Sequence, residues 1–249
     1  MKWSFIMLSV LVSLNGQSDQ IFVGTRPLSM GGAFIAVADD ANAITWNSAG
    51  LPGLRRTEFT STYADLYAMN INQSYFGFVR PFSDRIALGI DWSNLGFEDS
   101  ELMYSENKLN FALGIQAHRK FSFGLTLKYL MRDMQLDGTS YGKSSGIGYD
   151  AGIIYQPLKI LKVGLGFYDL NGTQISYKDK TSEEVLGQAF KLGIAYMPIN
   201  GLTIAADYGD RVHAGIEYVL ASRIGFRAGI QKGYSNEKGM LIPSAGISL

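Results

Sequence analysis

Imidazoles, thiolates and well-placed hydroxyls are the side chains that most often carry catalysis, and this 249-residue chain holds only His118 and His213 and no cysteine. His118 stands beside Arg119 and Lys120 in what reads as a tight turn, while His213 opens a strand near Arg211. Neither has a serine or carboxylate at a spacing that would build a nucleophile and its base, so both read as solvated or hydrogen-bonded residues. The chain is not expected to be an enzyme. Without cysteine there are no disulfide staples, thiolate metal sites or lipidated cysteine. Gly24, Gly31 and Gly32 cluster, but no Lys-Ser/Thr pair follows them, and close backbone packing is a better reading than a phosphate cradle. No metal site and no cofactor are expected.

Charge is placed more regularly. Counting along alternating segments puts Asp91, Lys108, Lys128, Arg132, Asp150, Lys162, Lys191, Asp207, Arg211, Glu217, Arg223 and Arg227 on one face. The signs are mixed, which suits a structural network better than an ion-selective ring of one sign. Overall the 22 basic and 22 acidic residues cancel and form no blocks, so nucleic acid is not an expected partner.

Positioning such a network requires strands. From Thr57 onward apolar and polar residues alternate with period two in segments of about ten residues, the length a membrane-crossing strand needs. Phe121, Phe123, Leu125, Leu127 and Tyr129 alternate with Ser122, Gly124, Thr126 and Lys128. About twelve such strands can be read. One face is apolar and aromatic; the other carries Gly, Ala and charge. Repeated glycine on the polar face implies an interior where another chain segment comes close. Tight turns are expected at Pro81 to Asp84, Ala117 to Lys120, Gln156 to Lys159 and Met197 to Gly201. Longer loops are expected at Leu95 to Ser105, Gln135 to Gly146 and Asn171 to Gln188, and this alternation is that of periplasmic turns and external loops.

Composition agrees. Charged residues make up 18%, glycine numbers 29, and mean hydropathy is +0.05, too uncharged for an ordinary soluble domain and too polar for a helical membrane protein. Met1 to about Ser18 reads as a secretory signal, with Lys2 ahead of the apolar run Phe5 to Leu14, so the mature chain is expected to begin near Gln17 to Gln20. No other segment approaches the roughly 18 apolar residues of a spanning helix, so a membrane location implies a closed barrel. A soluble secreted β-sandwich used in adhesion shares the alternation and stays open as an alternative.

Residues 21 to 53 differ from the rest, being rich in Gly, Ala and Asn with helical character around Asp40 to Trp46. Asp39 or Asp40 is placed to cap that helix, Asn47 and Gly50 to end it, and Pro52 to stop it resuming. Within this region Gly24, Met30, Gly31, Gly32, Ala33, Phe34, Ala38, Asp39, Asp40, Ala41, Trp46, Asn47, Ala49, Gly50 and Leu51 closely resemble the N-terminal plug signature of the PorV/PorQ family, within the FadL-like outer-membrane transporters. Ser48 stands where that family usually has proline. More weakly, LKVGLGFYDLNG and HAGIEYVLASRIGFRAGIQKG resemble its later strands.

The resemblance implies an all-β, antiparallel transmembrane barrel of fourteen strands in the outer membrane, with the N-terminal segment lodged in its lumen. It divides the chain into a signal peptide (1–18), a plug with a short helix (19–53) and a barrel (54–249). Ending on Leu249 after about twelve strands, the sequence is expected either to lack about two strands or to be a smaller barrel. Passive transport of hydrophobic small molecules is the leading function implied, and a type IX secretion component binding exported cargo or partner proteins is the alternative. Outer-membrane lipid is the expected surrounding. Phe34 and Trp46 either line an apolar path or anchor the plug, and anchoring is favoured because aromatic rings must pack on something. Asp39, Asp40, Asn42 and Asn47 are expected to pair with the basic members of the lumen network, Lys108, Lys128, Arg132, Lys191, Arg211, Arg223 and Arg227, beside the acidic Asp150, Asp207 and Glu217.

Overall fold

The computed structural model describes residues 23–66, 71–98, 102–136, 139–177, 183–221, 223–233 and 241–249. The expected signal peptide and the first residues of the expected plug lie outside these residues. The described residues begin with two short helices, α1 (Thr25–Ser29) and α2 (Ala43–Trp46), and a 3-10 helix, Ser48–Gly53. Fourteen strands follow: β1 (Glu58–Leu66), β2 (Ile71–Ser83), β3 (Ile86–Glu98), β4 (Leu102–His118), β5 (Phe121–Leu136), β6 (Thr139–Leu158), β7 (Leu161–Tyr168), β8 (Gln174–Tyr177), β9 (Glu183–Val185), β10 (Ala189–Tyr196), β11 (Leu202–Tyr208), β12 (Arg211–Leu220), β13 (Ile224–Gly233) and β14 (Leu241–Ser248).

Twelve of these make one continuous sheet in chain order, with β8 and β9 a side hairpin between β7 and β10, anchored on β6. Every pairing is antiparallel, as an up-and-down meander requires. The register pairs β1 with β2 and β14 with β13, and the two edge strands are not paired with each other among the described residues.

Period-two alternation sets the two faces. On β5, Phe121, Phe123, Leu125 and Leu127 are exposed, while Thr126, Lys128, Leu130 and Arg132 are buried. Exposed Phe, Leu, Ile and Tyr continue around the outer face from Phe59 to Ile247. Such a surface in water would be a very large apolar patch, whereas in lipid it is the face that needs no compensation. No helix among the described residues is long and apolar enough to cross a membrane, so the crossing elements are the strands.

Two expectations need correction. The stretches Leu95 to Ser105 and Gln135 to Gly146 are largely strand: β3 runs on to Glu98, β4 begins at Leu102, and β5 and β6 reach Leu136 and Thr139. Ser and Asn replace apolar residues there because these ends rise past the lipid belt, so alternation fades while pairing continues. Residues 99–101 and 137–138 lie outside the described set. Asn171 to Gln188 holds the β8–β9 hairpin, whose Ile175 packs with Leu130 and Leu186. The helix caps differ as well. Asp40 Oδ1 accepts from Asn42 N and Nδ2 at 2.8 and 2.9 Å, closing a turn ahead of α2 instead of capping it. Winding then resumes as the 3-10 helix with Pro52 inside, because Asn47 both ends α2 and accepts from Ala49 N.

Candidate functional site: a plugged barrel interior

The main core lies between residues 30–54 and the concave face of the sheet. Met30, Phe34, Ile35, Ile44 and Leu51 are fully buried, each worth about 1.5–3 kcal/mol relative to exposure before the cost of ordering the chain. The wall meets this segment with small residues. A Cβ on Gly89 of β3 would stand 2.6 Å from Ile44 Cγ1, and one on Gly114 of β4 would stand 2.6 Å from Pro52 Cδ and 2.7 Å from Ser48 O. Around the same level, Gly124, Gly152, Gly164, Gly193, Gly215, Gly229 and Gly246 lie against residues Ser29 to Ala49, so the plug is ringed by positions where any side chain would collide with it. Gly31 and Gly32 are themselves needed for their conformation: successive φ values of 65° and 82° reverse the chain after α1 and lay it against β12 and β13.

Polar contacts fix the plug's orientation. Arg26 grips Glu217 of β12 through Nε at 2.8 Å and Nη2 at 2.6 Å, a two-point fork, while its Nη1 reaches Asp39 at 2.6 Å and Asp40 at 2.8 Å. Arg227 of β13 holds Glu217 from the other side. Burial works against the charged form of Asp39, but Arg26 outweighs it and keeps that carboxyl below the usual range. Asp207 Oδ2 accepts from the backbone N–H groups of Phe34 and Ile35 at 2.6 and 2.8 Å, supplying amides that otherwise have no strand partner. His213 bonds Gly31 O at 2.6 Å through Nδ1, Tyr168 donates to Trp46 O at 2.5 Å, and Trp46 Nε1 donates to Val23 O at 2.9 Å. Asn47 Nδ2 donates to Ile35 O at 2.8 Å. Phe34 and Trp46 meet edge to face at 6.0 Å, and both are buried.

The inner face of the wall carries further paired charges, some of them in contact with the plug. Lys128 lies 2.9 Å from Asp150 and 2.7 Å from Asp169, and Arg132 lies 2.6 Å from Glu106. Lys191 meets Asp210 in the β11–β12 turn at 3.0 Å; burial opposes charge there, and His213 and Lys191 together hold Asp210 below the ordinary carboxylate range. Asp91 accepts from Thr45 and Asn110 at 2.7 and 2.8 Å. Lys108 is buried on the same face.

Of the expected network, the structure thus brings Lys128 and Asp150 together, and Arg227 with Glu217, and places Arg132 and Lys191 in pairs with residues not singled out. Arg211 is half-buried at the head of β12, and Arg223 is exposed in the β12–β13 turn, outside the network because β13 starts one residue later. The expected pairing of Asp39 and Asp40 with barrel cations is met only at a distance: their direct partner is the plug's own Arg26, Lys162 of β7 adds a weaker attraction on Asp39, and the barrel supplies an anion, Glu217, to Arg26. Arg26 went unnoticed although it is the only basic residue between 21 and 53, the one signal that could have found it. Glu106, Asp169 and Asp210 were missed because each lies in or near a stretch where alternation fades.

No family model matches this sequence, and no curated protein matches it. Solved structures do. The chain superposes on "CymD monoaromatic hydrocarbon channel" with a TM-score of 0.70 at 15% identity, covering 92% of this chain and 89% of that one. A FadL homologue of Pseudomonas aeruginosa gives 0.62 at 10% identity, covering 88% and 81%. The toluene transporter TbuX of Ralstonia pickettii gives 0.54 at 14% identity, covering 95% and 89%. The fold is therefore that of the FadL-like outer-membrane barrels. Its exposed apolar side chains give that fold the outer face of a wall that meets lipid.

Proposed function

We propose that the chain is an outer-membrane channel for small hydrophobic molecules, closed along its axis by its N-terminal plug. The observation that carries this reading is the plug's fit: its backbone lies against the glycine ring and Arg26 is locked on Glu217, so the N-terminal segment occupies the space a polar solute would have to cross. Hydrophobic molecules have another medium available, since they partition into the lipid that surrounds the wall, and passage through the wall is what the PorV/PorQ and FadL-like resemblance implies. The likeness to a monoaromatic hydrocarbon channel and a toluene transporter supports the same substrate class.

Reconstitution in liposomes tests it. Intact protein is expected to admit a labelled hydrophobic compound while excluding a small sugar, and deletion of residues 24–51 is expected to admit the sugar. Exclusion of both compounds by a folded barrel would overturn the transport reading. The PorV/PorQ-type secretion reading would then be favoured, because β4, β5 and β6, at 17, 16 and 20 residues, exceed the roughly 9–11 a crossing needs and raise a paired wall that proteins can grip.

A further inference from the structure

A groove of about 550 Å³ lies on the outer face of the wall across β2 to β6. It runs between two ladder rows, one from Phe78 through register partners to Tyr149, the other from Arg80 to Leu125. Five strands at about 4.8 Å spacing make the longer row roughly 19 Å, the reach of a long acyl chain. Its floor includes Gly89, whose inner face packs on Ile44 of the plug, so the slot lies behind a patch of wall that the plug braces.

One end is charged. Arg80 lines the slot with its guanidinium 5.5 Å from the centre of the Phe82 ring, and Arg85, Arg119 and Lys120 are exposed in the two adjoining tight turns, against Asp84 alone. These two turns lie at the end of the sheet opposite the long strand extensions of β3 to β6, the end expected to face the periplasm, where the barrel meets phospholipid headgroups. An aliphatic hydrocarbon has nothing to offer an arginine, and an aromatic one offers only the cation–π contact that Phe82 already supplies. A phospholipid has both parts in this order: an acyl chain for the slot and a phosphate for the cation, which Arg80 reaches by lying along its own apolar stem.

We infer that this groove binds one phospholipid of the periplasmic leaflet, its acyl chain lying between the two rows and its phosphate held by Arg80. This inference does not depend on the transport reading. Detergent-purified, delipidated protein would be titrated with phosphatidylglycerol and followed by native mass spectrometry. A single retained lipid is expected for the intact protein, with affinity reduced about tenfold or more in Arg80→Ala and in Leu125→Trp, which fills the slot. Arg223→Ala, on a distant turn, is expected to change nothing. Equal retention in both slot variants, an equal loss in Arg223→Ala, or equal binding of diacylglycerol would overturn the inference. Heat-modifiable migration checks folding, and if Leu125→Trp fails that check, Arg80→Gln with the diacylglycerol comparison decides alone.

Discussion

A Gly124→Val barrel is expected to assemble and to leak. Gly124 is on the inner face of β5, and a side chain there would run into Ser48 and the backbone nitrogen of Ala49, which cannot swing aside as the end of a long side chain would. Overpacking of this kind costs about 1–3 kcal/mol, a rise of roughly 5- to 150-fold in the fraction of barrels whose plug is displaced. The wall bears less of the strain, because valine suits a strand and every ladder hydrogen bond is kept. Planar-bilayer recordings should show ion steps that the intact protein lacks. Gly96→Ala is the control: its new Cβ would meet nothing nearer than Asn94 Oδ1 at 3.5 Å, and no leak is expected. A quiet Gly124→Val barrel that is folded would mean that the plug does not rest on the glycine ring.

Removing the latch should act more strongly. Arg26→Met leaves Glu217, 4% exposed, with Arg227 as its remaining partner, and leaves Asp39 and Asp40 repelling each other. Breaking a buried pair costs about 3–5 kcal/mol, while the Asp39 arm, 44% exposed, adds little, so a loss near the low end of that range is expected. Faster hydrogen exchange at the Phe34 and Ile35 amides would report it. The pH dependence follows from sign. Asp39 is held below its ordinary value, so its contribution is fully present above the unfolded carboxylate pKa of about 3.9 and is lost as pH falls through the lowered folded value. Asp39's share of the hold should therefore be lost only as pH falls below about 4. In Arg26→Met the trend should invert, with acid relieving the repulsion and tightening the plug. An unchanged exchange rate, or the same acid loosening in both proteins, would place the hold elsewhere.

How much of this could be read in the sequence depends on where a signal is local. Strand faces were legible because lipid demands apolar residues at every second position, as Phe121 to Tyr129 show. The crowded interior was legible too, since Gly114, Gly124, Gly164 and Gly193 recur on the polar face, and that spacing means little unless something lies against them. The plug's short helix could be seen around Asp40 to Trp46. Its latch could not: Arg26 meets Glu217 across 191 positions, and no local pattern says that a plug's cation rather than its anions will face the wall. The β8–β9 hairpin was hidden for a related reason, because strands of four and three residues paired off the main sheet carry too few alternations to stand out. Loop lengths were overestimated where pairing outlasts hydrophobicity, at the far ends of β3 to β6.

The claim on which the rest depends is that the N-terminal segment lies inside the barrel wall. Because the chain has no cysteine, a single engineered pair can test it. A Cβ on Gly246 of β14 would lie 2.7 Å from Ser29 Cβ, so Ser29→Cys with Gly246→Cys needs only a small outward shift to reach disulfide distance. The double variant, oxidised in isolated outer membranes, should cross-link in the folded, heat-modifiable form and stay closed to a small sugar even when Arg26 is removed. A folded barrel in which the two cysteines remain fully free to alkylating reagent, with no cross-link after oxidation, would contradict a plug seated in the wall.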